Sequence, residues 1–492
     1  MNNVSDTSSE QLGQILAAAA DAARVVGAAL PAERAAWIRA TADALDDAAD
    51  RLVPLAVEES ALAEPRLRGE VARSSGQLRL FADALEEGAL LELIIDTADV
   101  DAKPVPRPDL RRMLVPLGPV LVFAASNFPF AFSVCGGDTG SALAAGCPVV
   151  VKSHPGHPRL SEAVAEVMVT ALRAAGAPDG TLALVHGDRA GVEALTDSRV
   201  KASGFTGSVA GGLALHEIAV NRPDPIPFYG ELGSLNPVFV LPGAIEERGS
   251  DIAFGFVASY TLGVGQFCTK PGLLFLPVGH ALEKEIVAAA EEVAPARMLN
   301  ERIHQGYTGA LGKLRERGSV EALVTGDESN WGASASLFKT TVRRLVEDAE
   351  ELLEECFGPT SIVVEYADHD ELYAAASTFG GTLTATVHGA DSDTEVALSL
   401  LPLLQDRAGR VVWNGWPTGV AVSWAMQHGG PFPATVGSIH TSVGTTAARR
   451  FQRPVCFQDT PGDLLPEVLR DRNSLNLSRR VNGEITRRDI TS

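Results

Sequence analysis

From residue 10 to residue 90, alanines and larger apolar residues recur every three or four positions between charged ones. That is the spacing of amphipathic helices, clearest over Glu33–Leu52 and Pro65–Glu87. The period is lost between Asp96 and Arg112, a polar stretch with Pro104, Pro106 and Pro108 that predicts an extended arm or hairpin. Beyond it, short apolar runs alternate with helical patterns. Val120–Ala125, Pro148–Lys152, Leu182–His186 and Val200–Thr206 read as buried strands, with helices over Gly137–Ala145, Leu160–Ala175, Arg189–Thr196 and Val209–Ala219. Such alternation builds a doubly wound parallel sheet, which binds nucleotides at its carboxyl edge. A second series runs through Asn236–Val240, Ile252–Leu262, Gly272–Leu276, Lys284–Val293 and Ser361–Tyr366, and predicts another α/β domain beginning just after Glu231. The tail from Gly437 to Ser492 is richer in Arg and Thr and less periodic. The expected fold class is therefore α/β, with two doubly wound, Rossmann-like domains divided near residue 232 and a return near residue 430.

One run, Leu114 to Gly137, carries no charge and is long enough to span a bilayer. Pro116, Pro119 and Pro129, with Gly118 and Asn127, break any helix there, so a buried strand and a functional turn are expected and no membrane segment. Met1 to Glu10 is polar and lacks the pattern of a secretory signal. At 492 residues there is room for two or three cored domains, and 46% hydrophobic with 21% charged residues is an ordinary globular composition. A net charge of −21 argues against a nucleic-acid partner, which needs a basic footprint. Five cysteines without a CxxC pair suggest no disulfide framework and fit a reducing cytoplasm.

The candidate chemistry centres on Cys268, in Gly263-Val264-Gly265-Gln266-Phe267-Cys268-Thr269. A Gly-rich approach lets a substrate come close to the thiol, which must ionise to act as a nucleophile. Glu231 lies in Tyr229-Gly230-Glu231-Leu232-Gly233, between glycines that permit a tight turn and a mobile carboxylate before a strand. Asn127 follows the strand Val120–Ala125 directly and precedes Phe128-Pro129, so its amide is placed to donate to an oxyanion. Thiol, carboxylate and amide are the parts needed to attack a carbonyl, hold its oxygen and activate water. Cys135, Cys147, Cys356 and Cys456 read as space-filling cysteines. No metal site is expected, since His216-Glu217 lacks a second histidine at ligand spacing. No GxGxxG is present; instead Gly204-Phe205-Thr206-Gly207-Ser208-Val209-Ala210-Gly211-Gly212 joins a strand to a helix, where backbone N–H groups can meet phosphate.

These three segments, in this order, resemble the aldehyde dehydrogenase superfamily. The resemblance implies a cofactor domain over 1–95 and 113–232, a catalytic domain over 233–430, and an arm and tail over 96–112 and 437–492 that serve oligomerisation, as homodimer or homotetramer. It implies that Cys268, in Gly265-Gln266-Phe267-Cys268, attacks the aldehyde, that Asn127 holds the oxyanion, and that Glu231 activates the water that hydrolyses the thioester. Glu231 also argues against transfer to coenzyme A. Two departures are Ser234 for a glycine, in Glu-Leu-Gly-Ser, and Ser126 where a tryptophan is common. The cofactor contacts so implied are Lys152 on the adenosine ribose, Gly207, Ser208 and Gly212 in the Phe-Thr-Gly-Ser loop, and Glu355 and Phe357 of Glu-Cys-Phe-Gly-Pro around the nicotinamide. Many NAD-preferring members carry a glutamate where Pro155 stands here, beside His154. Nothing acidic at that position opposes a 2′-phosphate, so NADP is expected to be favoured over NAD. Arg189 is a further candidate phosphate partner.

Longer segments, among them Ala125 to Ser133, Val151 to Pro158, Leu262 to Gly272 and Met426 to Thr435, are similar to one branch of that family. It comprises α-ketoglutaric semialdehyde (2,5-dioxopentanoate) dehydrogenases and NADP-linked fatty-aldehyde relatives. The expected reaction is oxidation of 2,5-dioxopentanoate to 2-oxoglutarate; the alternatives are another fatty or aromatic aldehyde, or a non-enzymatic structural relative. Phe128 and Phe267 are candidate substrate contacts. So is Lys270, which replaces a common asparagine and either pairs with a substrate carboxylate or faces solvent.

Overall fold

The computed structural model describes residues 4–491; residues 1–3 and 492, the outermost ends of the expected cofactor domain and tail, lie outside the described residues. Four helices open the chain: α1 (Ser9–Ala28), α2 (Pro31–Asp47), α3 (Ala49–Ser60) and α4 (Glu64–Glu87). The helix expected over Glu33–Leu52 is two. The chain breaks at Ala48, while Leu45 and Leu52 stay buried on either side, so the apolar period runs across the joint and hides it. Strands β1 (Ile94–Asp96) and β2 (Leu110–Pro116) pair antiparallel, with Asp99 bridging Arg107 in the hairpin between them.

Next come β3 (Val120–Phe123), α5 (Gly137–Ala145), β4 (Val149–Lys152), α6 (Pro158–Ala174), β5 (Leu182–Val185), α7 (Asp188–Thr196), β6 (Ala202–Thr206), α8 (Val209–Asn221) and β7 (Phe228–Glu231). The five strands form one parallel sheet in the order β5-β4-β3-β6-β7. Both its faces are buried, β3 and β4 completely, which is why these strands read as continuous apolar runs rather than alternating ones. One apolar cluster joins α2, α4 and α6 to the sheet, and another joins α1 and α8 from the opposite face. The strand order reverses beside β3, so the ends of β3, β4 and β6 open onto one crevice at the topological switch point.

A second, seven-stranded sheet has the order Glu321–Val324, Ser336–Thr341, Thr360–Tyr366, Leu273–Pro277, Val238–Val240, Thr382–His388, Ala408–Trp413. A third sheet of five strands joins arm and tail: Gln452–Gln458, β2, β1, Arg479–Val481 and Glu484–Thr486. Glu231 is not in a turn before a strand, as its glycine flanks predicted. It ends β7, where it pairs with Thr206, and the next residue's N–H donates to the Ala434 carbonyl at 2.8 Å. Four residues were too short a run to show a strand period. None of the described helices is long and apolar enough to cross a membrane.

Candidate active site

Cys268 lies in a loop after the helix Pro242–Thr261. Gly263, Val264 and Gly265 all have left-handed φ angles, of 59°, 60° and 65°. For the β-branched Val264 that conformation is strained and persists only because the surroundings enforce it. A Cβ on Gly265 would stand 2.2 Å from the Gly358 carbonyl, so only glycine lets this loop press against Gly358-Pro359. Gln266 pins the loop by accepting from the Leu299 N–H (3.0 Å) and donating to the Gly263 carbonyl (3.0 Å). The buried Asn236 donates to the carbonyls of Cys268 (2.8 Å) and Lys270 (2.9 Å).

Around the thiol the structure assembles a triangle. His428 Nε2 lies 3.5 Å from Cys268 Sγ and 2.9 Å from Glu231 Oε1. Ser442 donates to the other oxygen of Glu231. His428 and Glu231 are 1% and 3% exposed, so proton exchange here is shielded from bulk water. Burial, and then the charge of Glu231, push the Cys268 thiol well above its ordinary value, so it rests protonated. For Glu231 burial acts upward too, but when His428 is protonated, attraction to its charge and hydrogen bonds from His428, Ser442 and Cys268 outweigh it, and the carboxyl pKa falls below the ordinary value. The site thus holds a neutral thiol beside a charged carboxylate and an imidazole. Asn127 donates from Nδ2 to the Gln266 carbonyl at 3.1 Å, which fixes the amide against the Cys268 loop.

Sequence reasoning missed His428, Ser442 and Asn236. His428 stands within a quoted family-like segment, Met426 to Thr435, but its 160-residue separation from Cys268 hid the contact. Phe128 and Phe267 do meet at the site, edge to face with ring centroids 5.1 Å apart. Lys270 takes neither expected course. It is buried, and its ammonium donates to the carbonyls of Cys356 (3.1 Å) and Thr360 (2.7 Å), because the strand Thr360–Tyr366 packs over it. Burial lowers its pKa, while Cys356 and Glu355 oppose that shift.

At the switch-point crevice, Lys152 ends β4 and forms an ion pair of 2.6 Å with Asp188, the first residue of α7. The charge of Arg302 also acts on Asp188 and on His154. Burial holds His154 neutral, and its Nδ1 accepts from the Gly156 N–H at 3.0 Å across the turn containing Pro155. Ser208 caps α8 by accepting from the Gly211 N–H at 3.2 Å, leaving the helix N-terminus open at the crevice. A Cβ on Gly212 would lie 2.1 Å from Leu232, so this glycine serves helix-to-strand approach. Glu355 stands against Gly233, whose added Cβ would meet Oε2 at 2.4 Å. Burial pushes that carboxyl up to about 7 against the pull of Lys270. Phe357 is half-buried beside it. A lysine, an open helix N-terminus and a half-buried acid along one crevice fit a dinucleotide. Arg189 is turned away from this set. It bonds Ser9 Oγ (2.8 Å), the Thr7 carbonyl (3.3 Å) and Glu193, tying α1 to α7.

A thiol with its own proton acceptor and amide, set beside a dinucleotide crevice, defines a covalent oxidoreductase of carbonyl compounds. The chain belongs to the aldehyde dehydrogenase family, whose profile matches residues 1–446, and it is an NAD(P)-dependent aldehyde dehydrogenase. It is 45% identical over 460 residues to alpha-ketoglutaric semialdehyde dehydrogenase 2 of Azospirillum brasilense, covering 92% of this chain and 87% of that one. It is 43% identical over 459 residues to alpha-ketoglutaric semialdehyde dehydrogenase of Acinetobacter baylyi, with the same coverage of 92% and 87%. Among solved structures, methylmalonate-semialdehyde dehydrogenase of Oceanimonas doudoroffii shares the fold, with a TM-score of 0.78 at 21% identity over 92% of this chain and 91% of that one.

Proposed function

We propose that the enzyme oxidises 2,5-dioxopentanoate to 2-oxoglutarate, the reaction named for its relatives in Azospirillum and Acinetobacter. The observation that carries the chemistry is the Cys268–His428–Glu231 triangle beside Asn127. With His428 neutral, its Nε2 takes the proton of Cys268 as Sγ bonds the aldehyde carbon, and the new N–H points to Glu231 Oε1, 2.9 Å from that same nitrogen, which stabilises the imidazolium. The Asn127 amide and the Cys268 N–H hold the resulting oxyanion. The nicotinamide ring, when bound, supplies the hydride acceptor. Water then attacks the thioester carbonyl, giving its proton to Glu231, while the imidazolium returns a proton to the departing sulfur. The free acid leaves. Hydrolysis rather than transfer to coenzyme A is supported by the buried, charged Glu231.

Lys152, His154, Pro155, Gly207, Ser208, Gly212, Glu355 and Phe357 form the cofactor set in this reading; Arg189 does not join them. NADP is favoured because Lys152 and Arg302 stand at the ribose end and Pro155 offers no charge. Asp188, invisible to a search along the neighbours of Lys152, is the acid that keeps NAD usable. A homodimer or homotetramer assembled through the third sheet is supported by the exposed Val100, Val105 and Ile485 on arm and tail. A cytoplasmic location is supported by five cysteines that are all free.

The aromatic wall of Phe128 and Phe267 favours a second reading, an uncharged fatty or aromatic aldehyde. The test is absorbance of the reduced cofactor with 2,5-dioxopentanoate beside a panel of aliphatic and aromatic aldehydes. The highest kcat/KM for the dioxo acid supports the narrow assignment, and the highest for an uncharged aldehyde replaces it with the second.

A further inference from the structure

Three guanidinium groups flank the reacting triangle and take no part in the chemistry above. Arg66 and Arg73 project from one face of α4, with Glu70 between them at helical spacing. Arg66 lies over the rings of Phe128 and Phe267, 4.9 and 4.7 Å from their centroids, and donates to the Asn127 carbonyl at 2.6 Å. Arg73 lies 5.4 Å over Phe132, and its charge acts on both Cys268 and Glu231. Arg410, on the strand Ala408–Trp413, adds a third charge that acts on Cys268, although its Nη atoms are spent on the carbonyls of Gly419 and Pro417.

The local charge does not close. Glu70 Oε1 stands 3.3 Å from Arg66 Nε, and burial pushes this carboxyl up to about 7. One partly ionised acid, with Glu231 already held by His428 and Ser442, therefore faces three arginines. Nη1 of Arg66 and Nη1 of Arg73 are buried without a hydrogen-bond partner among the described residues. Buried donors left unpaired are costly, and a guanidinium fork is the group best shaped to take a carboxylate. The rings of Phe128, Phe132 and Phe267 line these guanidinium groups, an apolar surface that suits a short methylene chain. Charge, free donors and an apolar spacer thus repeat the layout of an aldehyde whose far end is an acid.

We propose that Arg73, with Arg66 beside it, binds the substrate carboxylate at the end remote from the aldehyde and selects oxo acids over uncharged aldehydes. The proposal rests on the dioxo-acid reading and names the residues that would enforce it. Arg73 is the residue to test, since Arg66 also holds Asn127 in place.

Steady-state kinetics of wild type, Arg73→Met and Arg73→Lys are measured with 2,5-dioxopentanoate and with pentanal, and glutarate is tested as an inhibitor of pentanal oxidation. Arg73→Met is expected to lower the ratio of kcat/KM for the dioxo acid to that for pentanal on the order of 100-fold, the loss of a charged hydrogen bond, over and above any fall common to both substrates from removing its charge near Cys268. Arg73→Lys falls between, and glutarate competes with pentanal in wild type but loses potency in Arg73→Met. An equal fall for both aldehydes, or unchanged glutarate inhibition, overturns the assignment. If wild type prefers the dioxo acid and Arg73→Met keeps that preference, the arginine proposal alone fails. If wild type itself shows no preference and no glutarate competition, the substrate reading fails with it. The wild-type glutarate result stands even if a variant does not fold.

Discussion

Replacing His428 by glutamine tests the proton path most directly. Glutamine keeps a nitrogen near the Nε2 position, 3.5 Å from Sγ, but cannot accept a proton. The resting thiol titrates well above its ordinary value of 9.0, so less than about a tenth is ionised at pH 8 without an acceptor. A positioned base typically supplies a factor of about 100 to 10,000, and a loss on the order of 1,000-fold in the acylation step is expected. Rapid-mixing measurement of the burst of reduced cofactor isolates that step from hydrolysis. The variant's burst rate should climb about tenfold per pH unit toward the thiol pKa, because solvent then removes the proton, whereas wild type stays flatter. A burst rate within a few-fold of wild type would refute the role. So would a pH-independent fall accompanied by loss of cofactor binding, which would mark His428 as structural.

Cys268→Ala should abolish dehydrogenase activity while leaving cofactor binding, measured by fluorescence titration, unchanged; retained turnover would remove it as nucleophile. Glu231→Gln should slow the burst a few-fold, by removing the partner of the imidazolium, and lower the steady-state rate on the order of 100-fold; an unchanged burst with an unchanged steady-state rate would contradict its role. Asp188→Asn should raise the NADP-to-NAD ratio of kcat/KM by freeing Lys152 from its 2.6 Å partner; a lower ratio would reverse the proposed charge logic. Glu355 has its folded-state carboxyl raised from 4.5 to about 7, so it contributes stability that is complete below the lower value and lost as pH rises through the higher. Wild type should therefore lose about 3 kcal/mol between pH 4.5 and 8 that Glu355→Gln does not lose, and parallel urea-denaturation results for the two proteins would refute this.

The strands of the first parallel sheet were legible because burial on both faces leaves unbroken apolar runs, as in Val149–Lys152. Cys268, Glu231 and Asn127 were legible because each sits in a short, chemically unusual segment that resembles one family. His428 was not, since proximity across 160 residues leaves no local trace. Lys270 misled for a related reason: its position beside the nucleophile suggested the site, while packing against Thr360 decided where its ammonium went. Arg189 followed the same pattern, captured by Ser9 and Glu193 at a helix end. Asp188 answers Lys152 from the next strand–helix turn, and only the parallel pairing of β4 with β5 brings those turns together.

The clamp of Ser442 on Glu231 closes a loop of 211 residues, and the contact of His428 with Cys268 closes one of 160. Contacts of such range are expected to form after the local helices and the shorter-range pairings within the first two sheets, because closure entropy grows with loop length. A chain still emerging from synthesis can therefore hold Cys268 and the switch-point crevice and yet lack His428 and Ser442 beside them. Catalysis is thus acquired after the local helices that frame it. During refolding, regain of turnover should trail regain of helical signal, which makes activity a stricter gauge of native structure than any spectrum.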